Sequence, residues 1–268
     1  MELTGVGATA LGVALLRARE SARPDRIVED PYAGHFARHL GDPWTADPHF
    51  LALMADQVAV RTRFFDDMLL AATHAGIDQV VLLACGVDTR AFRLGWPAAT
   101  TVLELDLAEV LAFRDGVLAQ QGATARCRRV EIAADLRGDW PTTLQVAGHD
   151  PDRPTAWLAE GILYALPPAA ADLLIDRVTA ASTPGSVLAL DHVEDSARLR
   201  TARGALAAEL VDLWQGGPDQ DLAHWLTARG WATQVHDVAE IAARYGRPTP
   251  PEAAPARAWL VAAELGGR

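Results

Sequence analysis

Cysteine is nearly missing from this chain. Cys85 and Cys127 are the only two, in a spacing that resembles neither a metal-ligand set nor a redox pair, so a disulfide framework is excluded and no metal centre is expected. Blocks of positive charge are missing as well. The 268 residues carry 24 Lys plus Arg against 35 Asp plus Glu, a net charge of -11. Duplex nucleic acid is repelled by that balance, which leaves a small molecule or a protein as the expected partner. Nor is there a long apolar run. The stretch from Gly5 to Leu16 is short, broken by glycine and followed at once by Arg17, Arg19 and Glu20, which suits neither a membrane span nor a secretory leader. A cytoplasmic protein is expected.

What is present is ordinary globular composition, 50% hydrophobic and 22% charged, enough to bury a sizeable core and fold unaided. The length suits one domain, residues 1–268, with an added cap. Residues 1–75 have helical periodicity, with helices expected over Thr9–Ser21, Pro31–Leu40 and Pro48–His74 between Pro and Gly breaks. From residue 76 onward short apolar runs alternate with helical segments. Strands are expected at Gln79–Ala84, Thr101–Leu105, Arg129–Ala133, Thr155–Ala159 and Ser186–Asp191. Helices are expected at Leu107–Gln121, Pro167–Thr183, Ala197–Trp214 and Gln220–Ala228, with two last strands at Trp231–Asp237 and Ala258–Glu264. The Pro-rich link from Arg247 to Pro255 joins those two, which suit an antiparallel edge. The expected fold class is therefore α/β, a doubly wound, seven-stranded, mostly parallel Rossmann-like sheet beneath a helical N-terminal cap.

Ligands of such a sheet bind beyond the carboxyl ends of its strands, where the strand order reverses. After the first strand comes Ala84-Cys85-Gly86-Val87-Asp88-Thr89-Arg90. Gly86 lets the backbone approach a ligand, and Asp88 or Thr89 suits a helix cap; a plain strand-to-helix turn reads the same way. The three glycines of a dinucleotide fingerprint are absent, which disfavours a nicotinamide site. After the second strand comes Glu104-Leu105-Asp106, about twenty residues past the glycine, where a carboxylate commonly accepts from ribose hydroxyls. The two acids alternate around Leu105, so only one reaches a sugar; Asp106 is preferred, with Glu104 as the alternative. The third strand runs out at Asp135-Leu136, an acceptor for an adenine amino group beside an apolar ring contact, or else a helix cap. The fourth ends at Glu160-Gly161, and Ile162, Leu163 and Tyr164 follow as the lip of a pocket.

Assembled, these stretches resemble the leucine carboxyl methyltransferase family, in particular its bacterial branch of O-methyltransferases of polyketide and other secondary metabolism. The likeness runs from Thr9 to Glu264. It is carried by Ala18-Arg19-Glu20-Ser21, Arg23-Pro24-Asp25-Arg26, Asp30-Pro31-Tyr32-Ala33, Arg61-Thr62-Arg63-Phe64-Phe65-Asp66-Asp67, Gly86-Val87-Asp88-Thr89-Arg90-Ala91-Phe92-Arg93, Glu104-Leu105-Asp106, Asp135-Leu136 and Trp157-Leu158-Ala159-Glu160-Gly161. The resemblance implies a class I methyltransferase that binds S-adenosyl-L-methionine through Arg61, Gly86, Asp106, Asp135, Leu136 and Glu160. Arg61 would clamp the methionyl carboxylate, a geometry lysine imitates badly. Ala84 departs from the pattern, since many relatives carry glycine there, and it should narrow the loop's freedom. No motif identifies the molecule methylated.

Methyl transfer from a sulfonium is an in-line displacement that rests on alignment and exclusion of water. A carboxylate acceptor is already ionised and needs no base, whereas a hydroxyl benefits from one. His192, after Asp191 at the end of the fifth strand, is the candidate base by position, with Tyr164 to orient the acceptor. Glu20, Ser21 and Arg23 in the cap are other candidates for the acceptor, and Arg19 or Arg63 for an anionic one. The alternatives are methylation of a protein's C-terminal carboxylate, and a non-catalytic module that only binds the cofactor.

Overall fold

The seven apolar runs form one sheet in a computed structural model that describes residues 6–40, 48–193, 215–248 and 257–267. The strands are β1 (Gln79–Leu83), β2 (Thr101–Asp106), β3 (Arg128–Ala133), β4 (Thr155–Ala159), β5 (Val187–Val193), β6 (Trp231–Asp237) and β7 (Ala258–Leu265), in the order β3-β2-β1-β4-β5-β7-β6. The first five are parallel. Every residue of β1 and β4 is buried, as expected of central strands covered on both faces, and this is why their sequences are unbroken apolar runs. The closing pair is antiparallel as expected, with one difference. β7 inserts between β5 and β6, antiparallel to both, and leaves β6 as the edge. Burial explains the order: Leu260, Val261 and Ala263 of β7 are buried, whereas β6 buries only Trp231 fully.

The helices are α1 (Val6–Ser21), α2 (Ala33–Ala37), α3 (Pro48–His74), α4 (Arg90–Arg93), α5 (Ala108–Gln120), α6 (Trp140–Val146), α7 (Pro168–Ala180), α8 (Leu222–Thr227) and α9 (Val238–Arg244). The helix expected over Ala197–Trp214, and most of the link from Arg247 to Pro255, lie outside the described residues. Three short helices, α4, α6 and α9, are additions to the sequence reading. Two of them start from an Asp cap: Asp139 accepts from the Thr142 N–H, and Asp237 from the Ala239 N–H.

Strand periodicity sorts the core into two layers. Val80, Leu82, Val102, Ala156, Leu158 and Ala189 face α3 and α9. Their neighbours Val81, Leu83, Leu103, Leu105, Trp157, Leu188 and Leu190 face α6, α7 and α8. The cap packs Leu11, Ala14 and Phe36 onto Val87 of the β1–α4 turn, onto Phe92 of α4 and onto Phe113, Val117 and Leu118 of α5. Strand order reverses between β1 and β4, so a crevice opens there at the carboxyl ends of the strands. No helix among the described residues is long and apolar enough to cross a membrane.

Candidate functional site

The alternation that buries the core also aims three carboxylates. Asp106 continues the row of Val102, Glu160 the row of Ala156 and Leu158, and Asp191 the row of Ala189, which sets all three on the α3 side of the crevice. Each meets a donor there. Asp106 Oδ2 accepts from the Gly86 N–H at 2.6 Å and Oδ1 from the Leu107 N–H at 2.7 Å. Glu160 Oε1 accepts from Arg61 Nε at 2.9 Å, and its Oε2 pairs with Arg90 Nη1 at 2.8 Å. Asp191 Oδ2 accepts from Arg61 Nη1 at 3.0 Å, and Oδ1 from the Gly161 N–H at 2.6 Å.

Arg61 thus projects from α3 into the crevice between the ends of β4 and β5. Nε and Nη1 are taken by Glu160 and Asp191, and both Nη1 and Nη2 lie beside the Gly161 turn, 3.7 and 4.0 Å from where a Cβ on Gly161 would sit. Behind it stands a second arginine layer. Arg90 bonds Asp66 at 2.7 Å and also pairs with Asp88, and Arg93 grips Asp66 with Nη1 at 2.6 Å and Nη2 at 2.8 Å. Burial alone would push the Glu160 carboxyl up, but Arg90 and Arg61 together hold it down at about 2. Among the described residues Asp191 pairs with one cation, Arg61, and burial leaves its carboxyl raised. Burial also raises Asp106, against the pull of the Gly86 and Leu107 N–H groups.

Glu104, the alternative to Asp106, points the same way but lies deeper. It is fully buried and held by Arg114 at 2.7 Å and Arg129 at 2.5 Å, which makes it part of the core rather than of the crevice. Asp135 stands past the end of β3, where Arg137 donates to both its oxygens and keeps its carboxyl down at about 2; Leu136 packs against the core. Tyr164 lies in a 3-10 turn, Leu163–Ala165, with its hydroxyl 3.6 Å from where a Cβ on Gly161 would sit. His192 continues the row of Leu188 and Leu190, so it faces away from Arg61. With Pro218, Asp221, Leu222, Val235 and Trp259 it walls a cavity of about 570 Å³. Of the cap candidates, Glu20 is buried and holds the Ile27 N–H and Arg247, while Ser21 accepts from the Asp30 N–H at 2.8 Å; both fix the cap itself. Arg23 pairs with Asp25 and Arg63 with Asp67 near the surface, and Arg19 is exposed.

Sequence reasoning missed Asp191, Arg90 as a partner of Glu160, and Leu107. The signal for Asp191 was a lone carboxylate closing the apolar run Val187-Leu188-Ala189-Leu190 at the ligand end of a strand.

A family model described as leucine carboxyl methyltransferase matches residues 10–179, more than half of the chain. The chain belongs to the leucine carboxyl methyltransferase family. A Rhodococcus jostii protein provisionally named as an S-adenosyl-L-methionine-dependent methyltransferase is 43% identical, over 92% of this chain and 90% of that protein. Among solved structures, a provisionally named methyltransferase of Thermobifida fusca superposes with a TM-score of 0.60 at 17% identity, covering 96% of this chain and 94% of that one. The magnesium protoporphyrin IX methyltransferase of Synechocystis, solved with S-adenosylhomocysteine bound, gives 0.52 at 14% identity over 87% and 94% of the chains. The protein is thus an S-adenosyl-L-methionine-dependent methyltransferase of this family, and S-adenosyl-L-methionine is its cofactor.

The residues present fit that cofactor. Gly86 takes φ +54, a conformation that favours glycine, and a Cβ there would come within 3.2 Å of Ala10 Cβ on the cap helix, so the turn is bare backbone packed closely under α1. Asp106 spends one hydrogen bond per oxygen on the backbone, which leaves lone pairs for two hydroxyls. Leu107 beside it is 38% exposed, an apolar surface at the mouth of the crevice suited to a ring face.

Proposed function

We propose that this family member transfers the methyl group of S-adenosyl-L-methionine to an oxygen, carboxylate or hydroxyl, of a small metabolite, in secondary metabolism. The observation that carries the reading is the cavity of about 570 Å³ walled by His192, which follows Asp191 in β5 and faces the other side of the sheet from Arg61. A pocket of that size suits a small molecule.

When bound, the cofactor supplies an electrophilic methyl on a sulfonium. The chain's residues bind and orient. Asp106 accepts the ribose hydroxyls, Arg61 donates from Nη2 to the methionyl carboxylate, and Glu160 keeps Arg61 in place. Asp135 accepts from the adenine amino group, Leu136 packs on the ring, and Gly86 lets the backbone come close. Tyr164 orients the acceptor, and His192 takes the proton of a hydroxyl acceptor on its imidazole; a carboxylate acceptor has none to give.

The test is a screen of phenols, alcohols and carboxylic acids with cofactor-loaded protein, sorting products by base lability, since methyl esters hydrolyse and methyl ethers do not. His192→Ala should lower turnover of a hydroxyl acceptor by about 10²-fold or more with cofactor affinity unchanged. Methylation at nitrogen or carbon would defeat the proposal, and full turnover by His192→Ala would remove that residue from it.

A further inference from the structure

The structure assigns Asp191 as the positioning residue of the cofactor clamp: one buried carboxylate that fixes both the Arg61 guanidinium and the Gly161 turn. It rests on the reading of Arg61 as the clamp of the methionyl carboxylate.

Asp191 is 3% exposed, and both its oxygens are committed. Oδ2 accepts from Arg61 Nη1 at 3.0 Å, and Oδ1 from the Gly161 N–H at 2.6 Å. The two partners come from α3 and from the turn after β4, elements that also meet at this point through Glu160. With Glu160 alone, Arg61 would be held through Nε and free to pivot about it. A second carboxylate from the neighbouring strand removes that pivot and fixes the plane of the guanidinium, and with it the direction of Nη2. The same carboxylate stabilises Gly161 at φ +70, where a Cβ would lie 3.7 Å from Arg61 Nη1 and 3.6 Å from the Tyr164 hydroxyl. Asp191 therefore sets the distance between the clamp and the turn that carries Tyr164. Burial of a charge is costly unless it is paired and hydrogen-bonded, and here both requirements are met by Arg61 and the Gly161 N–H.

The experiment is Asp191→Asn, with S-adenosylmethionine and S-adenosylhomocysteine titrated by calorimetry beside the wild type, Arg61→Ala and the double variant. The amide keeps an acceptor for the Gly161 N–H but loses the ion pair. Both ligands carry the methionyl carboxylate, so a positioning role weakens both equally, about tenfold, at unchanged circular dichroism. In the Arg61→Ala background the same change should cost less than about twofold. Affinities within twofold of wild type would overturn the assignment. So would a loss confined to S-adenosylmethionine, because the carboxylate would then act on the sulfonium charge and not through Arg61. Full additivity in the double variant would overturn it too. An Arg61→Ala protein with wild-type affinity would instead remove the clamp reading beneath it. Asp191→Ser, which leaves the Gly161 N–H a small acceptor, repeats the comparison if the amide variant does not fold.

Discussion

Arg17 and Asp30 form an ion pair 3.0 Å long inside the cap, and each reaches past the other to the β1–α4 turn. Arg17 Nη2 donates to the Val87 carbonyl at 3.0 Å, and Asp30 Oδ2 accepts from the Thr89 hydroxyl at 2.8 Å. Asp30 Oδ1 also accepts from the Tyr32 and Ala33 N–H groups, both at 3.1 Å. The cap is therefore bonded to the same turn that carries Gly86.

Removing one partner of this pair strands the other charge in the core. Asp30→Ala should cost about 3 kcal/mol of unfolding free energy in urea, the scale for breaking a buried pair. Because the turn loses its tie to α1, affinity for S-adenosylhomocysteine should fall in the same variant. A loss below about 1 kcal/mol would mean that apolar packing alone holds the cap.

Asp106→Asn tests the other side of the turn. An amide has one acceptor oxygen where the carboxylate uses two, so either Gly86 or Leu107 loses its partner and an N–H faces an N–H. Calorimetry should give at least about tenfold weaker binding of S-adenosylmethionine and of its demethylated product, about 1.4 kcal/mol. NAD should bind neither form. Unchanged affinity would take the ribose contact away from Asp106.

Much of this was legible. β1 and β4 are buried on both faces, so their apolar runs are continuous and their ends are marked; α3 is long enough, at 27 residues, for its period to show from Pro48 to His74. The four-residue α4 is too short to carry a period, and the place of β7 between β5 and β6 depends on relative burial, which no local pattern encodes. In the crevice, Gly86 and Asp106 stand in successive βα units of a known unit length, and the spacing of 20 residues was readable. Asp191 was not, because its meaning lies in Arg61, 130 residues away in sequence.

Ala84 has φ +47 and is the only non-glycine with positive φ among the described residues. The narrowed loop expected from an alanine at this position is in fact an alanine held in the left-handed region, at about 1–2 kcal/mol. Ala84→Gly relieves that strain and forfeits about 0.4–1 kcal/mol through the freer unfolded chain. The net expectation is a gain of about 0.5–1 kcal/mol in urea unfolding, with cofactor affinity at least kept. A destabilised variant would show that the methyl group's contacts outweigh the backbone strain.

His149 sits at the opposite end of the molecule, after α6, and gives stability a pH dependence separate from the crevice. It is 4% exposed, bonds the Thr155 hydroxyl at 3.1 Å through Nε2, and burial holds its pKa down at about 4, with Asp150 offsetting only part. In the unfolded chain the imidazole takes a proton near pH 6.5, whereas the folded protein keeps it neutral to about pH 4. The unfolded state thus binds more protons across that window, and unfolding free energy falls as pH is lowered from 6.5, by up to about 3 kcal/mol at pH 4. The buried carboxylate Glu160, whose pKa is held at about 2 from an ordinary 4.5, loses its contribution mainly at lower pH, while the raised carboxyls of Asp106 and Asp191 act with the opposite sign, so it is the difference in slope between wild type and a His149 variant that reports His149. Urea midpoints measured at half-unit steps should decline across that interval in the wild type. In His149→Gln, which keeps a polar partner for Thr155 but cannot titrate, they should decline less steeply. Equal slopes in the two proteins would mean that His149 takes up its proton in the folded state as readily as in the unfolded one.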